Sequence, residues 1–143
     1  MPPGLVSSQL SQIISQAIAP SFLLGAVAAF VSVLIGRVNR IFDSAEALLS
    51  IDDQNSERAK LKEEIPLLRR RAKLISRAIE FAVISGICTT FLVILAFASA
   101  MIGLSYAFGA AFLFVAALAA FATSLIHLWL EIRLAIKQLD RVL

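Results

Sequence analysis

Leu67-Leu68-Arg69-Arg70-Arg71-Ala72-Lys73-Leu74-Ile75-Ser76-Arg77 sets five cations immediately before an apolar run that begins near Phe81. Clustered Lys and Arg stay on the cytoplasmic side of a bilayer while the adjoining apolar stretch partitions into lipid. This junction therefore sets the direction of the helix that follows, and the rest of the chain reads outward from it.

The surrounding composition agrees with a lipid setting. The chain has 143 residues, 59% of them hydrophobic and only 16% charged, a balance too apolar for an ordinary soluble domain of that size. A formal net charge of +3 would suit nucleic acid. The cations, however, are gathered beside apolar runs, where anionic headgroups are the nearer partner, so membrane lipid is the expected contact and nucleic acid is not. The single cysteine, Cys88, lies inside an apolar run and reads as a small filler, with no disulfide framework or thiolate cluster to join. The N-terminus lacks the positive start of a secretory signal, so the first apolar run is expected to be retained.

Upstream, residues 1–16 carry no charge, and Leu10, Ile13, Ile14, Ala17 and Ile18 recur at helical spacing against a Ser and Gln face. The pattern predicts an outer, interfacial amphipathic helix. Residues 17–36 are long enough to cross a hydrocarbon layer of ~30 Å and form the first transmembrane helix. Within it Ala28, Ser32 and Gly36, with Gly25 and Ala29 beside them, make a ladder of small residues suited to close helix approach. Residues 37–80 read as a cytosolic helical hairpin. Its outgoing limb places Val38, Ile41, Phe42, Ala45, Leu48 and Leu49 on one face, and a reversal is expected at Asp52–Ser56. On the return limb Leu61, Ile65, Leu68, Ala72, Ile75 and Ile79 alternate spacings of four and three, a coiled-coil seam broken only by Pro66.

The seam continues into the second transmembrane helix, residues 81–102. After a turn around Tyr106 comes the third, residues 107–130, with Trp129 at the opposite interface and a charged tail over residues 131–143. The predicted fold is all-α, an integral membrane protein of three transmembrane helices with the cytosolic hairpin extending from spans one and two. All thirteen Lys and Arg lie either between spans one and two or after span three. The positive-inside rule then puts the N-terminus outside and both hairpin and C-terminus in the cytoplasm. All ten carboxylates share that side.

Three stretches carry a family resemblance: Pro20-Ser21-Phe22-Leu23-Leu24, Arg37-Val38-Asn39-Arg40-Ile41, and Leu68-Arg69-Arg70-Arg71-Ala72-Lys73-Leu74. With them the chain resembles the bacterial three-span membrane proteins of domain-of-unknown-function family twenty-seven twenty-one, over nearly its whole length. It departs where the resemblance would place a further arginine, at Asp43 and Ser44. The resemblance implies a bacterial inner-membrane protein and supplies no activity.

The candidate residues divide by the company they keep. Arg37, Asn39 and Arg40 leave span one, and Arg69, Arg70, Arg71 and Lys73 enter span two. They read as lipid or partner contacts, with snorkelling anchors as the plainer alternative. Glu80, at the inner start of span two, needs a partner such as Arg77, Arg37 or Arg40, or else belongs to a cation-attracting ring. His127 stands one turn from Glu131, which suggests a hydrogen-bonded pair or a proton-sensitive gate. Ser85 and Thr89 read as helix contacts or as the lining of a narrow wet path. Enzyme signatures and metal-ligand spacings are missing, so neither catalysis nor a cofactor is expected.

The small-residue ladders and the seam offer more packing faces than one three-helix unit uses, so a homo-oligomer is expected. One function that fits is a small ion-conducting pore or channel on the symmetry axis. Its pore or gate candidates are Gln9, Gln12, Gln16, Ser32, Glu80, His127 and Glu131. The alternative is a non-conducting membrane scaffold or adaptor whose cytosolic hairpin binds a partner protein or anionic lipid.

Overall fold

A computed structural model describes residues 3–50, 60–103 and 107–142. The expected reversal near 52–56 and the turn at Tyr106 lie outside the described residues. Three long helices make up nearly all of it: α1 (Pro3–Leu49), α2 (Ile65–Ile102) and α3 (Ala107–Val142), with a short 3-10 helix at Lys60–Glu64. At 1.5 Å per residue, the 47, 38 and 36 residues of these helices each exceed the ~30 Å of a hydrocarbon core. All three are apolar enough to cross a membrane.

The helix ends follow local chemistry. Pro66 is the second residue of α2, where a missing backbone donor costs little, so the seam proper starts there. Gly103 ends α2 with φ at 77°, a left-handed cap open to glycine, and its N–H donates to the Ser99 carbonyl at 2.9 Å. Residues 3–16 do not form a helix of their own. From Pro3 onward they belong to the unbroken α1, which contains Pro20. Pro20 has no backbone N–H to donate to the Gln16 carbonyl, and in lipid a carbonyl freed in this way has to be met by a neighbouring helix, a hydroxyl side chain or water.

Each helix turns a 3.5-residue repeat inward. On α1 the line Pro20, Leu24, Val27, Val31, Leu34, Val38, Ile41, Ala45 and Leu48 is buried or half-buried, spaced alternately four and three. On α2 the expected seam of Leu68, Ala72, Ile75 and Ile79 is buried or half-buried and continues through Ala82 and Thr89. On α3 the positions Ala117, Ser124 and Glu131 are buried at intervals of seven. Large apolar side chains off these stripes, such as Phe22, Phe42, Phe108 and Phe112, are exposed.

The contacts resolve into two units. The first comprises residues 1–30 and 82–122 and contains no charged side chain. Its core places the Phe30 and Phe121 rings edge to face at 5.3 Å and Val27 against Gly86, where an added Cβ would meet Val27 Cγ1 at 3.6 Å. The second comprises residues 31–81 and 123–143 and carries every Lys, Arg, Asp and Glu in the chain. Leu34, Ile41, Leu68, Ile75 and Ala78 form its buried apolar centre.

The ladder of Ala28, Ser32 and Gly36, with Gly25 and Ala29, is exposed, and an added Cβ at Gly25 or Gly36 would meet nothing within 4 Å. The inward face of α1 is set instead by the larger residues of the heptad stripe, which bury more apolar area per contact.

Candidate functional site: a buried arginine and glutamate cluster

Glu131 lies on the inward stripe of α3, seven residues after Ser124, and is completely buried. A buried carboxylate is costly unless charge and hydrogen bonds meet it. Two other helices supply both. From α1, Arg37 donates to Glu131 Oε2 through Nε at 2.9 Å and Nη2 at 2.6 Å. From α2, Arg71 donates through Nε to Oε1 at 2.8 Å, and its Nη1 donates to Gln138 Oε1 on α3 at 2.8 Å. Both carboxylate oxygens are thus engaged by charge-assisted bonds, which are stronger and more directional than neutral ones. Two cations against one anion leave the cluster with net positive charge.

This arrangement corrects three expectations. Glu131 is not the partner of His127: the imidazole donates from Nδ1 to the Thr123 carbonyl at 2.8 Å and stacks on Phe81 at 5.4 Å between centroids. One helical turn separates His127 from Glu131, but the carboxylate is held by the two arginines and the imidazole by a backbone carbonyl. Arg37 and Arg71 are not headgroup anchors; they turn inward, with side chains only 30% and 17% exposed. Glu80 is exposed and forms no ion pair with Arg37, Arg40 or Arg77 among the described residues.

The heptad register held the missed signal. Arg71 lies at intervals of seven with the buried Ala78, Ser85 and Leu92, on a line flanking the seam of Leu68, Ala72, Ile75 and Ile79, and Glu131 lies likewise with Ala117 and Ser124. A charge on a buried heptad line is a charge committed to the interior.

The remaining candidates stay apart. Asn39, Arg40, Arg69, Arg70 and Lys73 are exposed, as are Gln12, Gln16 and Ser32, and the side chain of Gln9 lies outside the described residues. Gln16 edges a cavity of about 600 Å³ in the first unit, together with Pro20, Leu92, Ser99 and Phe114. Ser85 donates to the Ala117 carbonyl at 2.7 Å, Thr89 to the Ser85 carbonyl at 2.7 Å, and Ser124 to the Ala78 carbonyl. Ser85 and Ser124 thus pin α3 to α2, each bond contributing on the order of 0.6 kcal/mol in a membrane setting. Glu64 Oε2 is buried with no hydrogen-bond partner among the described residues. No group of three His, Cys, Asp or Glu that could hold a metal occurs among the described residues.

A family model described as "Protein of unknown function" (DUF2721) matches residues 17–141. No curated protein and no solved structure matches the chain.

Proposed function

The chain belongs to the DUF2721 family, and from that starting point we propose that it is a non-conducting, self-associating scaffold of the bacterial inner membrane. Its N-terminus faces outward, and the charged hairpin and C-terminal tail face the cytoplasm, where they engage a partner protein or anionic lipid. The observation that carries this reading is the Arg37–Glu131–Arg71 cluster. Within it Glu131 is spent on the two arginines, and the buried hydroxyls of Ser85, Thr89 and Ser124 are spent on backbone carbonyls. Groups engaged in this way hold helices together and offer little to a permeating ion, which needs ligands free to exchange. The open face of Gly25, Ala28, Ala29, Ser32 and Gly36 supports self-association, since small residues let helices approach closely in lipid.

Purified protein in liposomes is expected to pass no more ion than empty vesicles under voltage, pH or osmotic challenge. Reproducible unitary conductance would replace the scaffold with the pore reading, in which exposed Ser32 and Glu80 line a path between copies. The orientation has its own check. In a Cys88→Ser background, a membrane-impermeant thiol reagent added to intact cells is expected to label Ser8→Cys and leave Arg77→Cys unlabelled. The opposite pattern would reverse the placement.

A further inference from the structure

A second basic site stands beside the buried cluster and is not consumed by it. Arg70 on α2 and Arg133 and Lys137 on α3 rim a pocket of about 200 Å³ whose apolar lining is Leu74, Leu130 and Leu134. No carboxylate lines it. On α3, Glu131 is buried and held by Arg37 and Arg71, and Asp140, three residues beyond Lys137, is exposed and forms no ion pair among the described residues. Among the described residues Arg70, Arg133 and Lys137 form no ion pair, so three cations from two helices converge with no anion to answer them. The Arg133 guanidinium is held 5.0 Å from the centre of the Trp129 ring, a cation–π contact that restricts where it points. Trp129 is itself 56% exposed, as suits an aromatic side chain at the level of headgroups.

We infer that this pocket binds the phosphodiester headgroup of an anionic phospholipid of the leaflet it faces. Charge complementarity selects an anion, and guanidinium geometry matches phosphate oxygens. The leucines select a lipid over a soluble phosphate, because they offer apolar surface to the glycerol and first acyl carbons next to the charge. Basic pockets between membrane helices on the cytoplasmic side are suited to such headgroups. The inference rests on the proposed orientation, which sets this end of the helices against the anionic inner leaflet, and it names one ligand class for the scaffold's charged surface.

The test uses the full chain in detergent with two phospholipids of equal acyl length, phosphatidylglycerol and phosphatidylcholine, and reads bound lipid by native mass spectrometry. The wild type is expected to retain phosphatidylglycerol preferentially. Arg70→Gln/Arg133→Gln is expected to weaken that retention roughly tenfold or more, since each basic group near a lipid surface is worth about a factor of five. Arg77→Gln/Arg141→Gln removes the same charge from exposed positions outside the pocket and is expected to retain the lipid. Equal loss in the two double variants would overturn the site in favour of diffuse attraction. Displacement of the lipid by millimolar inorganic phosphate would overturn it in favour of a soluble-anion site. A protein that conducts yet shows the expected lipid pattern keeps this inference and loses the scaffold; a silent protein without the pattern does the opposite.

Discussion

Glu131→Ala is expected to destabilise the detergent-solubilised protein by about 3–5 kcal/mol, because it leaves two arginines turned inward with no anion between them. Glu131 is fully buried and accepts from both Arg37 and Arg71, so one substitution releases the charge pairing of three helices at once. Arg37→Ala is expected to cost less. Its side chain is partly exposed, and Glu131 would still hold Arg71. The cluster's role in holding the helices together is then separable from its polarity. Replacing all three members with apolar residues of similar volume, as Arg37→Met/Arg71→Leu/Glu131→Leu, is expected to return stability close to wild type or above it, since the desolvation cost of the ions disappears with them. Thermal unfolding followed by size-exclusion chromatography would rank the variants. A Glu131→Ala protein as stable as wild type would mean that the arginines do not converge on this carboxylate.

The second large effect falls where helices meet through alanine. Ala117 is completely buried in the first unit, and its carbonyl accepts the Ser85 hydroxyl at 2.7 Å, so α2 passes close to the Ala117 backbone. Ala117→Leu adds a branched side chain where no space remains and is expected to cost about 1–3 kcal/mol through overpacking. Ala122→Leu is the internal control, because Ala122 is exposed and its new side chain would meet lipid or detergent; its unfolding temperature is expected to stay near wild type. Equal behaviour of the two variants would remove the close contact from the account of this core. Ser124 donating to the Ala78 carbonyl, with Ala78 fully buried, marks a comparable approach in the second unit.

Much of this molecule is written locally. Three helices, their apolar length and the return-limb seam at Leu68, Ala72, Ile75 and Ile79 follow from composition and from periods of 3.5 to 3.6 residues, which backbone geometry imposes within a few turns. The gathering of every Lys, Arg, Asp and Glu into one of the two units was likewise readable, since charge and hydropathy are properties of the residues themselves. What the amino-acid order did not disclose was direction around each helix axis: that Arg37 and Arg71 turn inward while Arg40, Arg70 and Lys73 face out, and that Glu131 answers two arginines instead of the histidine one turn away. Those partners are 94 and 60 residues distant along the chain. Such a pairing exists only after three helices have chosen mutual register, so tertiary packing alone decided which of thirteen like charges became structural and which remained available to a ligand.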